Sequence, residues 1–435
     1  MPQLSPLPST GVDGHPARSS PSRLLAEPNF RRLWMTQIFS SGGEALSRIA
    51  LPLLVYDLTS SPEMVGLIAL VLIFPQVLLA PITGLLADHL DRRRLMIAAD
   101  LFRLVLVALI PFTTEIWQLA VLTVLVAVGN ATGRPAELAA VPSVAGPERL
   151  VAALSLIQVS GGIIRIAAPA AGAGIIALAG PAPVFLIQAL CFAGSLIALR
   201  RLVIPAGDRA DAVSFARGTI VRTAGREMLS GIRAIRDIPI VRGVTASESL
   251  HQIAVAAMTV AGIVYTEESL DLGDRAGSAY ALMTTSMAAG AVLGAFVAHR
   301  VERRTGRPRM MALGYLGPFF LMAAFVSPPM AAIYAAWFCF GFLDALAVIS
   351  FQAYLAGAVP ERLRGRVYAA WGAVIALASA LAYQGMGLIT PVLGAPYTIA
   401  LVGLIVGIGG PLSLWVTGAI RSVQSGTITA EPPVR

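Results

Sequence analysis

Apolar stretches of about 20 residues, the length an α-helix needs to cross a bilayer, recur along the whole chain. Short polar segments separate them. The pattern predicts an all-α membrane protein with twelve membrane-spanning helices. We number these spans 1 to 12, at residues 32–57, 63–87, 95–113, 117–141, 150–178, 182–201, 238–266, 276–299, 309–327, 329–355, 366–391 and 396–420.

A long polar segment at residues 202–237 divides the twelve spans into two sets of six. Two short motifs recur across this division: Pro147-Glu-Arg-Leu150 returns as Pro360-Glu-Arg-Leu363, and Asp91-Arg92-Arg93 is echoed by Glu302-Arg303-Arg304. Their offsets, 213 and 211 residues, nearly agree, which indicates a duplicated six-helix unit.

These boundaries predict five regions. A disordered cytoplasmic tail at 1–29 is rich in Pro and Ser, and six-helix bundles at 30–201 and 238–420 flank the linker at 202–237. A second cytoplasmic tail follows at 421–435. The linker has arginines among apolar residues, which fits an amphipathic helix on the inner leaflet or a solvated connection.

Composition supports a membrane environment. Only 13% of the 435 residues are charged, about half the share in soluble domains, and 56% are hydrophobic. The net charge of +8 is better explained by basic loops on one side of a membrane than by nucleic-acid binding. All 32 basic residues are arginine, which excludes both a P-loop lysine and a Schiff base.

The placement of arginine predicts the orientation. If the N-terminus is cytoplasmic, the cytoplasmic segments hold nearly all the loop arginines, and the external turns hold mainly Asp and Glu. This asymmetry follows the positive-inside rule. We expect a multi-pass protein of the cell inner membrane with both termini in the cytoplasm.

The loop between spans 2 and 3 has a longer pattern than an ordinary basic loop: Gly84-Leu-Leu-Ala-Asp88-His-Leu-Asp91-Arg92-Arg93-Arg94. It resembles the loop signature of the major facilitator superfamily, Gly-x-x-x-Asp-(Arg/Lys)-x-Gly-(Arg/Lys)-(Arg/Lys). Two positions differ, since His89 replaces a basic residue and Asp91 replaces a glycine. In the second half the pattern is weaker, because Ala298 stands where the acid is expected.

Other segments resemble the third drug:proton antiporter family of that superfamily, a group similar to macrolide exporters and the enterobactin exporter. They include Phe30-Arg-Arg-Leu-Trp34, Arg48-Ile-Ala-Leu-Pro-Leu-Leu-Val-Tyr-Asp57, Arg134-Pro-Ala136 and Pro360-Glu-Arg-Leu-Arg-Gly-Arg366. The resemblance covers nearly the whole chain after residue 29. It implies the major facilitator fold and two halves that rock around a central cavity.

The resemblance also implies a cytoplasmic gate. Asp88 would contact the start of span 11 near Arg364 and close the inner side when the cavity faces outward. Asp100 and Arg103, spaced i,i+3 on span 3, would complete the charge cluster of this gate. The candidate gate residues are Gly84, Asp88, Asp91, Arg92, Arg93, Asp100, Arg103 and Arg364.

Charged residues inside the spans are candidates for proton coupling and substrate binding, because each costs about 2.5–3.5 kcal/mol at the bilayer centre. Glu44 and Arg48 share a face of span 1, either as a proton carrier with its partner or as a static ion pair. Arg165 on span 5 could pair with Glu44, bind an anionic substrate or be structural. The candidates are Glu44, Arg48, Arg165, Glu248, His251 and Asp344.

Arg134 and Glu137 lie near the inner end of span 4, where they could form part of a gate or reach to the interface as long side chains do. The two cysteines, Cys191 and Cys339, lie in apolar runs and predict buried thiols. We therefore expect no metal site and no cofactor.

The sequence thus predicts a proton-coupled exporter of hydrophobic or amphipathic small molecules, functioning as a monomer. Its partners would be the small-molecule substrate, protons and the lipid bilayer, without nucleic acid. An alternative is a dedicated exporter of one metabolite, such as a siderophore, peptide or lipid. A membrane-embedded enzyme is a remote alternative, because the four histidines form no catalytic pattern.

Overall fold

The computed structural model describes residues 21–73, 75, 79, 91–146, 149–204, 217–326, 329–359 and 361–419. Within these residues the chain is almost entirely helical and contains no strand. The α-helices are α1 (Pro21–Ala26), α2 (Pro28–Thr59), α3 (Pro62–Val71), α4 (Arg92–Leu109), α5 (Ile116–Ala145), α6 (Leu150–Ala179), α7 (Ala182–Arg200), α8 (Arg217–Asp237), α9 (Pro239–Val264), α10 (Ala276–Thr305), α11 (Arg307–Gly314), α12 (Met330–Ala358), α13 (Glu361–Leu393) and α14 (Ala395–Val416).

Helices occupy the described parts of all twelve predicted spans. In the part of the chain that the structure describes, nine helices are long and apolar enough to cross a membrane. Span 9 departs from a regular α-helix, because α11 ends at Gly314 and a 3₁₀ segment, Gly317–Val326, continues in its place. Pro318 explains the change, since its ring lacks the N–H and clashes with the carbonyl four residues earlier.

The predicted N-terminal tail at 1–29 includes residues that are ordered in the structure, which corrects that boundary. Pro21–Ala26 form α1, and α2 begins at Pro28 instead of residue 32. Leu24 is fully buried and packs in one cluster with Phe30. Glu27 also forms an ion pair with Arg149, at 2.7 Å between Oε2 and Nη1. Apolar burial and this pair hold the segment on the first bundle.

Helix α4 shows how the chain distributes polarity in lipid. Its buried positions follow the 3.6-residue helical period and include two charged residues: Met96, Ala99, Asp100, Arg103, Leu106 and Val107. The exposed positions are apolar: Leu101, Phe102, Val105 and Leu109. A helix with its charges inside and its apolar side chains outside is suited to lipid contact.

The two six-helix halves meet through two equivalent helix pairs. Helix α3 (span 2) packs on α13 (span 11), and α6 (span 5) packs on α10 (span 8). Since spans 2 and 8 correspond in the duplication, as do 5 and 11, the two contacts are related by a pseudo-twofold axis. Glycine permits the first contact: a Cβ at Gly66 would lie only 2.5 Å from the carbonyl oxygen of Tyr383.

We call the side of the bundle where α2 begins proximal and the side where α2 ends distal. One distal apolar cluster joins both halves and includes Val55, Ile68, Val264 and Ala382. On the proximal side the described core divides into separate clusters, one around Phe30 in the first half and two in the second half. The halves therefore share a core distally and separate proximally.

The linker contains α8, which packs against α13 and α9. Ile235 is buried in the proximal cluster of the second half, whereas Met228, Leu229 and Ile232 are exposed. These three exposed residues share a helix face, and their contact with the inner leaflet stays a prediction.

Candidate functional site

A cavity of about 1110 Å³ lies between the two halves. Helices α2, α3 and α5 provide much of its wall in the first half, and α13 provides the opposite wall. It extends from Val65 near the distal end to Arg134 and Trp371 nearer the proximal ends of their helices. At the distal end the halves are joined by a hydrogen bond of 2.7 Å from Tyr56 Oη to Glu268 Oε1. The halves thus meet at the distal end of the cavity, whereas the described residues on the proximal side pack in separate clusters.

A buried arginine, Arg103, forms the centre of a charge cluster in the first half. Three carboxylates from three helices contact it: Glu44 of α2 at 2.9 Å, Asp100 of α4 in a short ion pair, and Glu137 of α5 at 3.8 Å. Asn130 Oδ1 accepts a further hydrogen bond from Nη1 at 2.9 Å. The side chain of Arg103 is only 2% exposed, so no water layer screens these pairs.

Neighbouring helices make room for this guanidinium. A Cβ at Gly129 would lie 2.6 Å from Arg103 Cγ, and one at Gly133 would lie 3.3 Å from its Nη2. Phe192 of α7 covers the group, with its ring centroid 4.6 Å from Cζ. Arg103 lies eleven residues into α4, which places it about 16 Å along a helix that crosses a hydrocarbon core of roughly 30 Å.

A second cluster occupies the other half. His251 Nε2 of α9 lies 3.1 Å from Asp344 Oδ1 of α12, and its ring stacks on Phe340. Glu248 accepts a hydrogen bond of 2.8 Å from Gln252 Nε2. Both carboxylates and the imidazole line a small pocket of about 10 Å³, close to the volume one water needs.

The two clusters are built on equivalent helices. The first uses spans 1, 3 and 4, and the pocket of the second is lined from spans 7, 9 and 10. Each also reaches the cavity wall, through Glu44 and Asn130 in the first half and through Gln252 in the second. Charged groups inside the bundle therefore lie next to the cavity in both halves, buried in the first half and half-buried in the second.

The structure separates Glu44 from its expected partner. Both Glu44 and Arg48 line the cavity, as their shared helix face suggests, but the carboxylate of Glu44 pairs with Arg103. Arg48 is exposed to the cavity and belongs to no ion pair among the described residues. The interpretation of Glu44 and Arg48 as a static ion pair is therefore wrong in this conformation.

The expected gate residues divide into separate groups. Asp100 and Arg103 lie in the buried cluster instead of joining Arg92 near the proximal surface. Arg92 bonds to the carbonyl of Ala139 and to Ser143 of α5, at 2.9 and 3.0 Å. The difference arises because α4 carries residues 100 and 103 two to three turns into the bundle.

Two further gate candidates stabilise the proximal end of α4. Asp91 is its N-cap, and its Oδ1 accepts a hydrogen bond of 3.1 Å from the backbone N–H of Arg94. Arg93 donates to the final carbonyls of α7, those of Leu199 and Arg200. Gly84 and Asp88 lie outside the described residues, as do the side chains of Arg165 on α6 and Arg364 on α13.

Sequence reasoning missed three contributors to the first cluster. Glu137 was expected at a gate or the interface, although it is 7% exposed and contacts Arg103. Asn130 and Ser195 gave no signal of their own, yet Asn130 lies seven residues before Glu137 on the same face of α5. That spacing, with Gly129 just before Asn130 and Gly133 between the two polar residues, is the pattern that could have indicated a packed polar face.

Residues 33–383 match the model of the Major Facilitator Superfamily, and residues 252–433 match it again. The chain belongs to the major facilitator superfamily. Among curated relatives, the uncharacterized transporter YfiS of Bacillus subtilis (strain 168) is 24% identical over 416 residues, covering 90% of this chain and 95% of YfiS. A second transporter from the same strain, YvqJ, is 24% identical over 321 residues, covering 72% of this chain and 74% of YvqJ.

Solved structures confirm the major facilitator fold. The D323A mutant of the nucleoside transporter NupG superimposes with a TM-score of 0.65 at 12% identity, covering 90% of this chain and 99% of NupG. A bacterial homologue of the iron transporter ferroportin, in its inward-facing state, gives a TM-score of 0.64 at 14% identity, covering 88% and 98%. This chain is a major facilitator transporter with multiple membrane-spanning helices and two six-helix halves.

Proposed function

We propose that this transporter is a proton-coupled exporter of hydrophobic or amphipathic small molecules that works by alternating access. The observation that carries the proposal is a large cavity with a carboxylate in its wall, Glu44, bonded to a buried arginine that two other carboxylates share. The resemblance of the sequence to drug:proton antiporters supports export as the direction. The proximal side is then the cytoplasm.

Charge balance supports the role of protons. One guanidinium balances one of the three carboxylates around it, and burying an uncompensated charge costs several kcal/mol. Protons on the remaining carboxyl groups remove that cost. Glu44 is the member that both lines the cavity and contacts Arg103, so it is the group through which protons enter and leave the cluster.

The second cluster supplies a further protonation site in this proposal. Asp344 and Glu248 are carboxylates within the bundle, and His251, on the same helix as Glu248, contacts Asp344 at 3.1 Å. Gln252 connects Glu248 to the cavity wall. The two halves would thus each hold protons next to the substrate.

Alternating access requires the halves to exchange which end is closed. The distal contact between α3 and α13 would open, and the proximal ends would meet. Asp88 and Arg364 belong to the proposed proximal gate, on the strength of the loop signature in the sequence.

Everted membrane vesicles test the proposal. A pH-sensitive fluorophore reports the release of protons from the vesicles when amphipathic candidate substrates, cationic or anionic, are added. Substrate counterflow reports exchange of substrate across the membrane, which needs no proton movement. We expect Glu44→Gln and Asp344→Asn to lose proton release while keeping counterflow. Glu63→Gln, at an exposed distal position, is the matched control and should behave as wild type.

The proposal fails in either of two ways. Proton release on substrate addition that persists in the Glu44→Gln/Asp344→Asn double variant would show that other groups carry the proton. Wild-type vesicles that release no protons with any candidate substrate, while counterflow proceeds, would show that transport is not coupled to protons.

A further inference from the structure

The cavity is polar at one level and apolar at another. Its distal part is lined by apolar side chains from the first half: Leu51, Val55, Val65, Ile68, Val107, Ile110, Val126 and Phe185. Two arginines line the cavity farther from the distal end, Arg48 of α2 and, more proximally, Arg134 of α5. A bound molecule would therefore meet a cationic region and an apolar end in the same cavity.

Both arginines are exposed to the cavity, and neither belongs to an ion pair among the residues that the structure describes. The acids nearest to them are already held: Glu44 bonds to Arg103 at 2.9 Å, and Glu137 contacts Arg103 at 3.8 Å. Arg48 and Arg134 are therefore the cations whose hydrogen-bond donors can face a ligand.

Helix geometry gives the distance between the two regions. Val55 follows Arg48 by seven residues on α2, and Val126 precedes Arg134 by eight residues on α5. At 1.5 Å per residue these separations are about 10 and 12 Å. Arg48 lies eleven residues from the distal end of α2 and Arg134 eighteen residues from the distal end of α5, about 16 and 27 Å, so Arg134 is the more proximal of the two. An acid group held beside Arg48 leaves about 10 Å of apolar wall on α2 toward the distal end.

We infer that the substrate of this cavity is an amphipathic organic anion. Its carboxylate, sulfonate or phosphate group binds Arg48 and Arg134, and its apolar body lies toward the distal end. Guanidinium groups suit this task because their donors match the oxygens of an acid group in pairs. The inference rests on the proposed function only in taking this cavity as the transport site.

Equilibrium binding to the full-length protein in lipid nanodiscs tests the inference, with empty nanodiscs subtracted. Three probes share one aromatic body and differ in charge: naphthoate, the neutral naphthamide and the cationic naphthylmethylammonium. We expect naphthoate to bind at least tenfold more tightly than naphthamide, and naphthylmethylammonium to bind most weakly.

Arginine variants locate the acid group. Arg48→Gln and Arg134→Gln should each weaken naphthoate binding about tenfold and leave naphthamide binding unchanged, which also reports that the cavity is folded. Arg303→Gln is the matched control, because Arg303 is exposed at the proximal end of α10, outside the cavity. It should bind all three probes as wild type does.

Equal binding of naphthoate and naphthamide by the wild-type protein would overturn the inference, even if no variant could be purified. So would variants that weaken both probes equally. The measurement uses no proton gradient, so its failure is distinct from a failure of proton coupling. Anion selectivity without substrate-linked proton release would instead refute the proposed coupling and leave the ligand class standing.

Discussion

Removal of the guanidinium at position 103 should destabilise the whole first half. Arg103→Met keeps a flexible side chain of similar length but deletes the charge. Asp100 and Glu137, which are 1% and 7% exposed, would then face each other without the cation they share. Breaking a buried pair by removing one partner costs about 3–5 kcal/mol, and we expect a loss of that size in the free energy of unfolding.

A second substitution identifies the cause of the loss. Asp100→Asn removes the closest carboxylate while keeping a side chain of the same shape near Ser195, which donates to Asp100. In the Arg103→Met background it should restore about 1–3 kcal/mol of unfolding free energy, the coupling expected for residues of one ion-pair network. In the wild-type background it should destabilise, because Arg103 loses its closest partner.

The measurement is unfolding in mixed micelles, followed through the fluorescence of the five tryptophans. Arg303→Met is the control for loss of an arginine from an exposed site, where changes are usually within about 0.5 kcal/mol. If the free energy of unfolding of Arg103→Met lay within about 1 kcal/mol of the wild-type value, the reasoning would be refuted. Arg103 would then not be needed to offset buried negative charge. A double variant less stable than both single variants would refute it as well.

Four further outcomes follow from the geometry. Tyr56→Phe removes the hydrogen bond to Glu268 that joins the halves distally, which is worth about 1 kcal/mol. The distal end should therefore open more often. A cysteine placed in the distal cavity wall should then react roughly fivefold faster with an impermeant maleimide added on the distal side. Gly66→Val places carbon against the Tyr383 carbonyl and should raise that labelling rate further, whereas an unchanged rate would contradict the close approach of α3 and α13. Asp344→Leu should lower the free energy of unfolding by about 1–3 kcal/mol because it leaves the His251 imidazole, only 13% exposed, without its partner. Asp344→Asn, which still accepts a hydrogen bond, should cost less. In proteoliposomes, an inside-negative potential of 100 mV should favour export of naphthoate in exchange for one proton by about 4.6 kcal/mol, because two elementary charges move, and export of neutral naphthamide by about 2.3 kcal/mol, because one moves.

The helical architecture could be predicted from the sequence because lipid imposes a strong pattern on it. Runs of apolar residues long enough to cross a bilayer leave few alternatives, and the duplication adds a second constraint. The exceptions are local. Span 9 changes to a 3₁₀ segment around Pro318, and the N-terminal boundary moves because Leu24 finds a place in the first bundle.

The partners of charged residues were harder to predict, for a physical reason. Spacing along one helix shows which residues share a face, as it does for Glu44 and Arg48, but contacts between helices depend on rotation and depth. Glu44 bonds to an arginine 59 positions away in the chain. The family resemblance grouped Asp100 and Arg103 with the cytoplasmic gate, although two to three helical turns carry them into the core.

Each charge cluster lies entirely within one half of the protein. Glu44, Asp100, Arg103 and Glu137 all belong to the first half, and the His251–Asp344 pair belongs to the second. Rocking of two rigid halves therefore keeps these buried pairs intact, and no charge has to lose its partner at the bilayer centre. Among the described side-chain hydrogen bonds, only the one from Tyr56 links the halves, and it lies at the distal end where closure must be reversible. In the proposed cycle, the clusters would thus change protonation through the cavity while the rocking of the halves costs no buried ion pair.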